Sequence, residues 1–268
     1  MRVPRLRAYH LSLLLILTCI CAAAQNDPDA DKPTANPGRP TISTPAELTP
    51  VGYLQFETGV LWARKSPEFS SRTGIEETIK LAFTKRLELL VSAEPFVHST
   101  AAGPVQNSAG DVFVGAQAVV HHGEGSQPAI AVSYFHHVRS STAPDLDIGT
   151  AEDSLLLLIS ADVRGFHYDL NGFFNRAKQL PASRLQTGQS LSVSHQLRKP
   201  FGLTGELWHF TQPFQSAHAV GTLWAISFTP RKNLVLDAGF DRGLTSTSTK
   251  WELFAGFTYL LPQRLWKK

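Results

Sequence analysis

Residues Thr249–Leu261 read TKWELFAGFTYLL. Trp251, Leu253, Ala255, Phe257, Tyr259 and Leu261 occupy alternate positions, and Lys250, Glu252, Phe254, Gly256, Thr258 and Leu260 fill the places between them. Successive side chains of a β-strand point to opposite faces, so this alternation predicts a strand with one apolar face and one mixed, largely polar or small face.

The same pattern recurs upstream. Leu87, Leu89, Val91 and Ala93 alternate with Glu88, Ser92 and Glu94. Val112, Val114, Ala116, Ala118 and Val120 stand against Gly115 and Gln117. Phe166, Tyr168, Leu170 and Phe174 oppose His167, Asp169, Asn171 and Asn175, and Leu234, Leu236, Ala238 and Phe240 oppose Asn233, Asp237 and Asp241. About twelve such segments lie between Val51 and Leu261, each of roughly 9–14 residues, against about 9–11 for a membrane-crossing strand and about 5–6 for a typical soluble one. An even number of long strands without helices between them predicts an all-β fold: a transmembrane up-and-down antiparallel β-barrel.

The connections point the same way. Polar stretches near Ser66–Ser71, His98–Ala109, Ser140–Asp153, Arg176–Gln189, Thr211–Ala217 and Gly243–Thr249 are expected to be long loops. Those near Thr84-Lys85, Gly123–Gln127, Arg164-Gly165, Lys199-Pro200 and Pro230–Asn233 are expected to be short turns. Alternating long and short connections are those of an outer-membrane barrel, whose short turns face the periplasm. Lys85, Arg86, Arg164, Arg198, Lys199, Arg231, Lys232, Lys267 and Lys268 gather at the short-turn end. There they serve as solvated turn residues or meet anionic headgroups.

The N-terminus fits export. Arg2, Arg5 and Arg7 precede a short apolar run over Leu11–Ile20, and Ala22-Ala23-Ala24 supplies a cleavage site, so residues 1–24 read as a signal peptide. Cleavage there removes Cys19, Cys21, the one methionine and three arginines, which takes the formal charge from +3 to zero. No thiol chemistry and no basic signature for nucleic acid remain. Residues 25–50, rich in Asp, Pro, Thr and Ala, read as an arm that is flexible or folded back onto the barrel, and residues 51–268 as the barrel.

A charged side chain facing lipid at mid-bilayer costs about 2–4 kcal/mol for Lys or Arg, so charges on the strands are expected to point inward. Glu57, Glu76, Lys80, Glu88, Glu94, Gln117, Asp162, Asp169, Glu206, Asp237, Asp241 and Glu252 are the lumen candidates. Of these, Glu57, Lys80, Glu94, Gln117, Asp162, Asp169, Glu206, Asp237 and Glu252 are the candidates for solute contact. Acidic groups predominate, which suits either a cation-favouring path or an interlocked plug. About twelve strands fall between the eight that leave room only for side chains and the 16–18 of an aqueous channel, so both remain open. Trp62, Trp224, Trp251, Tyr134, Tyr168 and Tyr259 fall on outward faces, where interfacial aromatic girdles account for them.

No catalytic residue, cofactor or metal ligand is assigned. The serines and histidine of SLSVSH and the aspartates of DLDIG lie in no nucleophile elbow. His121-His122 and His136-His137 suggest a metal site. In a hairpin turning near Gly123–Gln127 the two pairs fall over 20 Å apart, at about 3.3–3.4 Å per residue, too far to share one ion. His121 and His137 are then the likelier lumen members of their pairs.

Several stretches resemble the MetA-pathway of phenol degradation family of bacterial proteins. GRPTISTPAELTPVGYLQFETG carries Arg39-Pro40, Val51-Gly52, Gln55 and Glu57; FTKRLELLVSAE carries Arg86 and Glu88; SAGDVFVGAQ carries Gly110-Asp111. The last hairpin carries Asp237, Arg242-Gly243-Leu244 and Gly256-Phe257. The resemblance runs from about Arg39 onward and implies an outer-membrane barrel that passes small organic compounds. Such barrels commonly end on an aromatic residue, whereas this chain continues past Leu261 as PQRLWKK. The expected function is a channel or passive transporter for small solutes, aromatic or hydrophobic ones among them. The alternatives are a non-conducting structural or adhesive barrel and, more remotely, an outer-membrane hydrolase. The expected partners are outer-membrane lipids, an unidentified solute and the barrel-assembly machinery.

Overall fold

The computed structural model describes residues 32–100, 105–124, 127–141, 143–144, 151–179 and 181–266. The expected signal peptide, Lys267 and Lys268 lie outside the described residues. Thirteen strands follow in chain order: β1 (Leu54–Arg64), β2 (Ser71–Ala82), β3 (Leu87–Thr100), β4 (Val105–Ser108), β5 (Val112–His121), β6 (Ala129–Arg139), β7 (Ala151–Val163), β8 (Phe166–Gln179), β9 (Ala182–Arg198), β10 (Phe201–Gln212), β11 (Ala217–Arg231), β12 (Leu234–Gly243) and β13 (Trp251–Leu260). All but β4 join in one antiparallel ring, each strand paired with its neighbours in sequence and β3 with β5. The ring closes where β1 meets β13, from Gln55 opposite Leu260 to Arg64 opposite Trp251. The four-residue β4 only extends the outer end of β3. This is a closed twelve-stranded barrel, and closure removes the unpaired edges that no membrane tolerates.

Alternation sets which side faces out. On β7, Leu155 and Leu157 are 42% and 45% exposed, whereas Leu156 and Leu158 between them are 6% and 0% exposed. Other exposed outward residues include Leu89 and Val91 on β3, Ile226 on β11 and Leu253 on β13. The interior is polar in large part: Gln55, Glu57, Gln117, Asn171, Glu206 and Thr258 are buried. Apolar side chains outside and polar ones inside invert the pattern of a soluble core and suit a lipid solvent. No helix among the described residues is long and apolar enough to cross a membrane; the strands provide the crossing.

Among the described residues the connection between β8 and β9 differs from the expected pattern. Residues 176–189 do not form a long outer loop. β8 continues to Gln179 and β9 resumes at Ala182, with Phe174 opposite Thr187 and Gln179 opposite Ala182. β8 and β9 reach 14 and 17 residues. Near the outer tip no lipid demands an apolar face, so the hydrophobic alternation fades while the hydrogen-bond ladder continues. Elsewhere the short turns are as expected, for example Arg164-Gly165 and Lys199-Pro200.

Past β13 the chain folds under the short-turn end. Leu265 donates its N–H to the Gly52 carbonyl at 2.8 Å and Arg264 Nε donates to the Val51 carbonyl at 3.1 Å. Trp266 stacks on Phe83 with ring centroids 5.4 Å apart.

Candidate functional site: the lumen

Residues 33–50 run inside the barrel and belong with it to one compact unit. The arm starts at the short-turn end, where Ala35 donates its N–H to the Lys232 carbonyl. Its backbone then meets a succession of wall side chains. Gly38 and Arg39 donate to Glu57 at 2.9 and 3.2 Å. Ile42 and Ser43 donate to the two Glu206 oxygens at 2.8 and 2.6 Å, and the Ser43 hydroxyl adds a third bond at 2.6 Å. Thr44 and Asn171 exchange two bonds, Ala46 donates to Ser160 Oγ, and Gln117 donates to the Pro45 and Ala46 carbonyls. Thr49 donates its N–H and hydroxyl to Glu88. An irregular segment survives inside a membrane barrel only if its backbone groups are satisfied in this way.

The lumen has two unlike sides. On the side of β5–β8, β10 and β11, the arm's Ile42, Ala46 and Leu48 pack in a cluster with Val119, Leu158, Phe173, Trp208 and Phe210. On the side of β12, β13, β1, β2 and β3, charges dominate. Lys80 Nζ lies 2.6 Å from Glu57, and Arg72 reaches both Glu94 oxygens at 2.6 and 2.7 Å. Arg39 extends from the arm to Glu76 at 3.0 Å and Asp237 at 3.4 Å. Asp237 and Glu76 together offset the charge of the half-buried guanidinium.

Arg39 fits because two facing residues have no side chain. Gly59 on β1 pairs with Gly256 on β13. A Cβ added to Gly59 would stand 2.2 Å from Arg39 Nη2, and one on Gly256 would stand 2.7 Å from Arg39 Nε. The two inward glycines form a berth for the guanidinium.

A cavity of about 520 Å³ opens beside the arm on the charged side, with Gly38–Ile42 among its lining residues. Glu76, Glu94, Asp241 and Glu252 lie on one sector of its wall, and Phe113, Phe135 and Trp208 on another. Arg72 Nε also donates to the Pro144 carbonyl at 3.1 Å.

The nine residues read from the sequence as solute contacts divide into three groups. Glu57, Gln117, Glu206 and Asp237 bind the arm directly, while Lys80 and Asp169 support residues that do. Glu94 and Glu252 line the cavity. Asp162 is corrected: it has the inward parity of β7 but sits at the short-turn rim, its side chain 75% exposed beside His167. The end of a strand lies beyond the enclosed lumen, so parity alone does not bury it. Sequence reasoning missed Arg72, although it shares the period-two face of Glu76 and Lys80. It also missed Arg39 as a lumen residue, because nothing in an irregular arm announces where it goes.

The histidine pairs separate as their spacing required. His137 pairs with Phe113 near the outer end of the β5–β6 hairpin, and His121 ends β5 beside the turn. His137 stacks on Phe113 at 4.6 Å and contacts Asp111 at 3.2 Å. Among the described residues no group of three or more His, Cys, Asp or Glu is arranged to hold a metal.

Structural comparison places this barrel beside known outer-membrane channels. It is similar to the COG4313 outer membrane channel from Pseudomonas putida F1, with a TM-score of 0.59 and 14% identity over 81% of this chain and 98% of that one. It is also similar to the NanC porin, with a TM-score of 0.54 and 7% identity over 76% of this chain and 100% of that one. The KdgM porin, solved with disordered oligogalacturonate, gives a TM-score of 0.51 and 10% identity over 77% of this chain and 98% of that one. The fold is that of the outer-membrane channels and porins. No family model matches the chain, and no curated protein matches it by sequence.

Proposed function

We propose that this protein is a bacterial outer-membrane channel for passive passage of small solutes, with the path along the charged side of the lumen. The observation that carries the reading is the cavity of about 520 Å³ between the arm and the carboxylate-bearing wall, enclosed in a barrel whose outer face is apolar. On the opposite side Ile42, Ala46 and Leu48 of the arm pack against the wall. Acidic groups outnumber Arg39, Arg72 and Lys80 along the cavity wall, which favours neutral and cationic solutes. Its aromatic sector suits small aromatic compounds. Glu94 and Glu252 are the contacts for a passing solute; Glu57, Glu206 and Asp237 act by holding the arm.

Membership of the MetA-pathway of phenol degradation family is the finer reading. Residues that carried the resemblance meet in the lumen: Arg39 with Glu57 and Asp237. The short-turn rim, with Lys85, Arg86, Arg198, Lys199 and Arg231, would meet periplasm-side headgroups. The barrel-assembly machinery would insert the chain, whose C-terminal segment docks through Trp266 in the folded barrel.

Reconstitution in planar bilayers and swelling assays in liposomes test the function. Discrete conductance and entry of small neutral or cationic solutes are expected. Absence of both, with heat-modifiable gel mobility showing a folded barrel, would favour the non-conducting structural reading.

A further inference from the structure

At the outer rim, on the lipid-facing side of β12, β13 and β1, two arginines sit over two tryptophans. The Arg242 guanidinium sits 4.4 Å from the Trp251 ring centre and that of Arg64 sits 4.9 Å from the Trp62 ring centre. Arg64 is directly opposite Trp251 in the β1–β13 register, so the four side chains form one patch. Strand parity turns all four outward. Trp251 is 44% exposed, Arg64 is also exposed, and Phe240 packs against Trp251 with centroids 6.1 Å apart. Arg242 Nη1 donates to the Lys250 carbonyl at 2.6 Å, which fixes its plane.

A second polar cluster on the same rim gives the contrast. On β7 and β8, Arg176 lies against Asp153 and 3.3 Å from Glu152, and Lys178 lies 2.6 Å from Glu152. Those cations are neutralised within the protein. Among the described residues neither Arg64 nor Arg242 forms an ion pair within 4.0 Å. Stacking on a ring leaves the edge of a guanidinium, with its planar fork of donors, free for an oxyanion.

We propose that Arg64 and Arg242 bind the phosphates of the phosphorylated glycolipid, lipid A, of the outer leaflet. The height on the barrel, the tryptophans of an interfacial belt and the uncompensated positive charge each suit a phosphate held at the membrane surface with acyl chains below it. Trp251 and Phe240 supply apolar contact for the chains, and the arginines supply the headgroup contact.

Native mass spectrometry of the detergent-purified barrel, titrated with bisphosphorylated or dephosphorylated lipid A, tests the site. The phosphorylated lipid should be retained and the dephosphorylated one should not. Arg64→Ala with Arg242→Ala should weaken retention about thirtyfold, two cations each at the usual strength of a basic residue on an anionic surface. Arg176→Ala with Lys178→Ala should leave it unchanged. Should the alanine pair fail to fold, Arg64→Lys with Arg242→Lys serves instead. That pair should lose part of the affinity, and undiminished retention would overturn the stacked geometry. Equal retention of the dephosphorylated lipid would show annular lipid only, and displacement by inorganic phosphate would show a soluble-anion site; either overturns the proposal. Lipid retention does not depend on conduction, so a failure here is distinguishable from a failure of the channel reading.

Discussion

The two sides of the lumen use one structural device for different guests. On the apolar side, inward glycines lie under inward rings: Gly188 pairs with Phe210, and Gly221 pairs with Trp208. An added Cβ at either glycine would stand 2.2 Å from the ring. On the charged side, the glycine pair Gly59 and Gly256 lies under the Arg39 guanidinium instead. A flat group laid on a bare backbone fills a barrel without bulging its wall. What differs is what happens around it. Rings pack tightly against the arm, whereas the guanidinium needs carboxylates, and charged side chains around it leave space between them. The apolar side therefore carries stability and the charged side carries the cavity.

Substitutions on the two sides should separate these roles. The largest effect is expected from Phe210→Ala, whose fully buried ring contacts Phe173 and Trp208. It should cost about 3–5 kcal/mol in reversible unfolding by urea, with little change in conductance. A conductance rise as large as that from loosening the arm would erase the distinction. Next comes Glu206→Ala, which deprives the Ile42 and Ser43 amides and the Ser43 hydroxyl of their acceptor. Unfolding should become easier by about 2–3 kcal/mol, and limited proteolysis should cut the loosened arm faster. Smallest in stability is Gly59→Ala, where the three atoms nearest the new methyl all belong to the movable end of Arg39. A loss of about 1–2 kcal/mol is expected, since the displaced Arg39 loosens from Asp237 and Glu76, and conductance should rise as it leaves its berth. Unchanged conductance in that variant would separate the arm from control of the path.

Much of this arrangement was legible in the sequence. Period-two alternation at Trp251–Leu261 and its equivalents gave both the strands and their faces, because lipid demands apolar side chains on one side only. Where that demand ends, the signal ends: the extended tips of β8 and β9 read as a loop, and Asp162 read as a lumen residue. Inward charge was also legible, since Glu57, Lys80 and Asp237 had no tolerable place outside. Their partner was not. Arg39 and the arm are placed by hydrogen bonds to nine different strands, and such long-range pairing leaves no local period. A local trace remained in two glycines, Gly59 and Gly256, at inward positions beneath the Arg39 guanidinium.

The division of the lumen can be measured directly, because Cys19 and Cys21 both precede residue 25 and the mature chain should be free of thiols. Single cysteines at Ser92, which lines the cavity, and at Ala131, buried on the apolar side, would be exposed to a cationic methanethiosulfonate reagent during bilayer recording. Ser92→Cys should react and its conductance should fall, while Ala131→Cys should be inert. Rapid modification and block at Ala131→Cys, with Ser92→Cys unaffected, would place the path on the wrong side and contradict the account.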